Sequence, residues 1–209
     1  MALIKHKSAS VSNVRRDSGR QDREKSEKKD QRVVRTRQQL DAAFVALLHR
    51  RAYGNIRVSD IIRKAGVGRA TFYAHYSSKD DLLWSQFDRI VLPMLVIKRG
   101  DACPLDATAL FAHLQAAPQI YRGLIAGPEA GGGPRIMQQC FEARIREAIK
   151  LGFGVEETMI TRFVASSLLV VSESSVENSE RLPPQEVQAI FARLVGGALA
   201  AAKAAHPKA

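Results

Sequence analysis

Between Val58 and His75 the chain sets out a short apolar group, a glycine, and then aromatics mixed with a cation and a hydroxyl. Val58, Ile61, Ile62 and Ala65 are spaced as the inner face of a short helix. Gly66 follows where a sharp turn is needed, which a residue with a Cβ would resist. Phe72 and Tyr76 stand four apart, so they share one face of a second helix that starts at Gly68. Burying that face turns Arg69, Ala70 and Tyr73 to solvent near the helix N-terminal end. This is the end of the second helix that enters a major groove. Tyr73 and Tyr76 could both be core aromatics, and His75 a plain surface histidine, but the spacing puts Tyr76 inside and Tyr73 outside.

Charge agrees with a polyanion partner. Met1 to Lys79 holds 19 Lys+Arg against 7 Asp+Glu, whereas Asp80 to Ala209 holds 13 against 14. The excess therefore sits in the first two-fifths, the footprint of a nucleic-acid-binding segment joined to a neutral body. An anionic membrane surface would attract the same charge, so the folded reading element decides between them.

Other chemistries find no support. Cys103 and Cys140 lie in no CxxC and near no Cys/His cluster, which argues against a zinc site or disulfide framework and suits a reducing cytoplasm. No nucleophile elbow, P-loop, Rossmann glycine pattern or His/carboxylate constellation is present, so no enzyme and no cofactor are expected. The longest apolar stretches, such as Phe163 to Val171, are too short to span a bilayer and are interrupted by serines, and Met1 to Asp30 is too polar for a secretory signal.

The elements that must position the reading residues are helices. Residues 1–30 mix charges without period and read as a disordered basic tail. Leu40, Phe44, Leu47 and Leu48 form one helical stripe, with Gly54 as a natural stop. Ser78-Lys79-Asp80-Asp81 has the form of a capping box, opening a helix that carries Leu82, Leu83, Phe87, Ile90 and Val91. Further helices are expected over roughly 106–117, 118–126, 134–151, 155–176 and 184–203, separated by Gly/Pro punctuation, with no strand alternation. The fold class is all-α: a three-helix domain over 31–83, then a larger helical domain over 84–209.

Taken together, Thr36-Arg37, the Leu40 to Leu48 stripe, Val58 to Val67, Arg69-Ala-Thr-Phe-Tyr-Ala-His-Tyr76 and Ser78-Lys-Asp-Asp-Leu-Leu83 resemble the DNA-binding domain of the TetR family. The resemblance implies that Gly68, Arg69, Ala70 and Tyr73 face base edges. Arg69 would fork onto a guanine and the Ala70 methyl would meet a thymine methyl. It implies that Thr71, His75 and Lys79 hold phosphates, with Arg57 and Ser59 on the same surface. Two departures stand out: Arg57 replaces the family's usual Thr, and Gly68 its usual Ser.

The resemblance further implies a cytoplasmic homodimer on palindromic operator DNA, with no membrane partner, acting as a repressor released by a small-molecule effector. Phe163, Leu169, Phe191, Leu194, Val195 and Ala198, on the last two helices, are the expected dimer interface, with Gly196-Gly197 allowing close approach. Phe87, Phe111, His113, Tyr121, Met137, Phe141 and Phe163 are candidate effector contacts, although such a stripe also describes an ordinary core. Two alternatives stay open: a protein of this fold that senses no small molecule, and an activator.

Overall fold

The computed structural model describes residues 11–98, 100–125, 127–148, 155–177 and 182–205. The first helix, α1 (Val11–Leu48), is followed by a 3-10 turn at Tyr53–Asn55, then α2 (Val58–Ala65), α3 (Arg69–Tyr73) and α4 (Lys79–Gln86). The chain continues without a break through a π turn (Phe87–Val91) and a 3-10 turn (Leu92–Met94). After β1 (Val96–Ile97) and β2 (Leu105–Asp106) come α5 (Thr108–Ala116), α6 (Pro118–Ile125), α7 (Gly133–Ala148), α8 (Val155–Glu177) and α9 (Pro184–Ala205). The all-α expectation holds, apart from one two-residue antiparallel ladder that pairs Val96 with Asp106.

Helix α1 begins far ahead of Gln31, so residues 11–30 are helical where a disordered tail was expected; residues 1–10 lie outside the described residues. The mixed charge that suggested disorder is compatible with helix, because the stretch lacks proline and sets Glu24 four residues before Lys28. The boundary expected at 83/84 falls inside α4.

Local signals account for the small helices. The Arg57 backbone N–H donates to Asp60 Oδ2 at 3.0 Å, closing the start of α2. Gly66 ends it with φ +67°, a left-handed conformation that favours glycine. At α4, Ser78 Oγ accepts from the Asp81 N–H at 3.0 Å, while Asp81 Oδ2 accepts from the Ser77 N–H at 2.7 Å. Gly54, expected as a helix stop, has another role: a Cβ there would lie 2.6 Å from the Glu129 carbonyl oxygen. The Tyr53–Asn55 turn thus rests backbone to backbone on the 128–130 turn of the body, with Asn55 Nδ2 donating to Glu129 Oε2 at 3.1 Å.

A continuous apolar core runs from Leu40, Phe44, Phe72 and Tyr76 through Phe87 and Phe111 to Phe141 and Phe191. By length and composition α8 and α9 could each cross a membrane, with mean hydropathy 1.3 over Glu157–Glu177 and Pro184–Ala204. Judging by the length of apolar runs missed this, because single serines and charged residues break the runs without lowering the average much. In the fold both helices pack on the body, burying Val164 and Leu168 from α8 and Phe191 and Val195 from α9.

Candidate nucleic-acid interface and adjoining cavity

Helix α3 presents a graded stack from core to solvent. Phe72 is fully buried, Tyr73 meets its ring edge-on at 5.3 Å, and the Arg69 guanidinium lies over the Tyr73 ring at 5.4 Å. Tyr73 is 45% exposed, and Arg69 and Ala70 are exposed beside it. One cation, one methyl and one phenol therefore share an outward face. Arg57, Ser59 and Gly68 are also exposed, while Thr71 and His75 are half-buried. Gly68 has ordinary extended backbone, and a Cβ there would meet only Thr71 Oγ1 at 3.7 Å, so the fold does not demand glycine at this departure.

Lys79 is placed differently from the expectation of a phosphate-holding side chain. Its Nζ donates to the carbonyl oxygens of Tyr53 at 2.8 Å and Ile56 at 2.9 Å, and lies 4.0 Å from the centre of the Tyr53 ring. Burial holds its pKa below the usual lysine value, with Asp80 opposing the shift. Two ammonium protons tie α4 to the turn after α1, so the side chain braces the head from within. The Tyr53 hydroxyl donates to Asp80 Oδ1, and its pKa is raised first by burial and then by that bond.

Tyr76 closes the other side. Its hydroxyl donates to Asp41 Oδ1 at 3.0 Å and accepts from Arg37 Nε at 3.1 Å. Asp41 Oδ2 meets the Arg89 guanidinium at 2.5 Å, and the same Arg89 nitrogen donates to Gln86 Oε1 at 3.2 Å. The end of the reading helix is thereby linked through α1 to the π turn. Asp41 was not anticipated, yet a signal existed: three residues before Phe44 and seven before Leu48, it sits on the buried face of α1 where an apolar residue would be usual.

Against this linkage lies a cavity of about 150 Å³ between α1, α4, the π turn, α5 and α6. Phe44 and Leu48 form the α1 wall, Gln86 and Phe87 another, and His113 and Tyr121 the far side. Phe87, His113 and Tyr121 were expected. Phe111, Met137 and Phe141 are instead core residues with no exposure, away from this cavity, and Phe163 is 51% exposed on α8. Among the described residues no Asp, Glu, Lys or Arg lines the space. Burial lowers the His113 pKa, which favours its neutral form.

The expected dimer residues divide. Phe163 and Leu194 are exposed, with Met159 and Val170 continuing the outward stripe on α8. Leu169 and Ala198 are half-buried. Phe191 and Val195 were misassigned: with Val187 and Leu199 they repeat every four residues and face the chain's own core. Gly196 likewise approaches the Ala102 backbone of the same chain at 3.3 Å from its Cβ position, whereas Gly197 faces open space.

Comparison with known proteins agrees with the head. Residues 40–84 match the family model for bacterial regulatory proteins of the tetR family. The chain is 46% identical over 69 residues to the uncharacterized HTH-type transcriptional regulator YxbF of Bacillus subtilis (strain 168), a stretch covering 32% of this chain and 18% of that protein. The match thus spans under a fifth of the curated relative's length. The crystal structure of a TetR transcriptional regulator from Streptococcus agalactiae 2603V aligns over 81% of this chain and 98% of its own, with TM-score 0.54 and 21% identity, which extends the shared fold into the body. The dihydroxyacetone kinase operon activator DhaS aligns over 78% and 96%, with TM-score 0.49 and 17% identity. With the motif and the three-helix arrangement in agreement, residues 40–84 form a head that matches the tetR family of bacterial regulatory proteins, on a helical body that shares the fold of a TetR regulator.

Proposed function

We propose that this protein is a transcriptional regulator of the TetR family, a cytoplasmic homodimeric repressor that binds a palindromic operator and is released by a small effector. The observation that carries DNA reading is the outward face of α3, where Arg69, Ala70 and Tyr73 project together from a helix anchored by buried Phe72. An exposed Arg at that end forks onto guanine O6 and N7, and an exposed methyl suits thymine. Arg57, Ser59, Thr71 and His75 surround that face and set register on phosphates, while Lys79 braces the head.

Pairing is supported by the apolar stripe of Met159, Phe163 and Val170 on α8 beside Leu194 on α9, a surface that costs free energy when left in water. A C2 pair places two reading helices on two half-sites related by the same symmetry. Effector release is supported by the cavity, which has walls from α1 and α4 of the head and the rest from the body. A ligand there acts by preferring one head-to-body arrangement over another.

Selection of bound sequences from random duplex DNA, followed by anisotropy at several salt concentrations, tests the reading. A palindromic site bound by a dimer is the expected result. A non-palindromic or sequence-independent preference overturns the operator assignment.

A further inference from the structure

We propose that the cavity beside α1 takes an uncharged, mostly apolar molecule about one ring in size, with a single hydrogen-bond acceptor that receives the Gln86 side-chain N–H. This rests on the effector reading above and names the chemistry of that site.

Gln86 carries the argument. It is 7% exposed, it lines the cavity, and its Nε2 is buried with no hydrogen-bond partner. The orientation of the amide is fixed at its other end, because Oε1 accepts from Arg89 at 3.2 Å and the flipped amide would set donor against donor. Arg89 is in turn held by Asp41 at 2.5 Å. A buried donor left without an acceptor is unfavourable, and a ligand carbonyl or ether oxygen satisfies it once a small shift of the Gln86 side chain brings the N–H to the cavity surface.

The remaining walls select what surrounds that oxygen. Phe44, Leu48, Phe87 and Tyr121 supply apolar contact, and with no charged residue among the described lining an ionised ligand is left unpaired. Burial, which lowers the His113 pKa, makes this side chain a poorer cation for an acid. A cavity of about 150 Å³ lined in this way has room for a benzene-sized body. The ligand's anchor is also one residue in the chain of contacts from Arg89 through Asp41 to Tyr76, so the site adjoins the head's own bracing.

Acetophenone, cumene and benzoate share size and separate the three chemistries: neutral with an acceptor, neutral without one, and anionic. Titration calorimetry on the full chain is expected to show acetophenone binding about tenfold tighter than either, the factor typical of one satisfied buried donor. Gln86→Leu is expected to abolish the gap between acetophenone and cumene. In the unmodified protein the Gln86 side-chain amide resonance should shift with acetophenone and not with cumene, a readout independent of how the variant folds. Equal affinity for acetophenone and cumene, tightest binding of benzoate, a gap that persists in Gln86→Leu, or no binding of any probe at millimolar concentration overturns the assignment. Operator affinity measured in parallel separates the two readings. Acetophenone that binds through Gln86 without weakening DNA binding upholds the ligand class and refutes effector release, while unaltered DNA release by another compound with no probe bound does the reverse.

Discussion

Replacing Lys79 with alanine removes two hydrogen bonds from an ammonium to the Tyr53 and Ile56 carbonyls and a cation held 4.0 Å from the Tyr53 ring centre. Hydrogen bonds to a charged donor contribute about 1.5–3 kcal/mol each and a ring contact of this kind about 0.5–2 kcal/mol. The cost of holding a half-buried ammonium, visible in its lowered pKa, offsets a large part of that sum. We therefore expect a net loss of about 2 kcal/mol, which for a chain of this size lowers Tm by roughly 4–8 °C. Circular dichroism melts measure this directly, and fluorescence anisotropy on specific and scrambled duplexes measures binding. At temperatures where the variant is folded, the salt slope of binding should match that of the unmodified protein. If Lys79→Ala kept its Tm, yet lost affinity for both duplexes and flattened the salt slope by about one unit, its ammonium would be holding phosphate and the bracing role would be refuted.

Arg69→Ala should leave Tm unchanged and cost about 1–3 kcal/mol of discrimination at one base position per half-site, measured by competition against single-base operator variants. Leu194→Arg puts an unpaired charge on the outward stripe of α8 and α9 and should turn a dimer into a monomer in light scattering, since Leu194 is 62% exposed and its loss disturbs no core. For His113, whose pKa burial lowers, the unfolded chain takes up the proton first as pH falls below about 6.5. Stability should therefore be lost on acidification from pH 7.5 to 5.5, and His113→Gln should remove that component from a series of denaturant melts.

The reading helix was legible because its information is local: Phe72 and Tyr76 at helical spacing settle which way Arg69 and Tyr73 point. Residues whose roles depend on distant partners were not. Lys79 looks like any cation at a helix start, and only the return of the Tyr53–Asn55 turn supplies the carbonyls that capture it. Gln86 is an unremarked polar residue until α5 and α6 close over it. On α9, apolar residues occur on more than one face, so spacing alone could not say whether Phe191 and Val195 or Leu194 turn inward. Their assignment follows from the position of α5, which no property of α9 encodes.

The π turn at Phe87–Val91 holds one residue more than an α-helical turn would, with the Leu92 N–H bonded back to the Phe87 carbonyl. Each residue of an α-helix advances the face by about 100°. The run from Lys79 to Met94 is thus two rods joined out of phase, one indexed to the head through Leu82 and Leu83 and the other to the body through Phe87 and Val91. Deleting a single residue inside the π turn would bring the rods into phase and swing everything beyond it by about that angle. Arg89 would then leave Asp41, so the length of this segment, counted in residues, is itself what keeps the two halves of the protein in register.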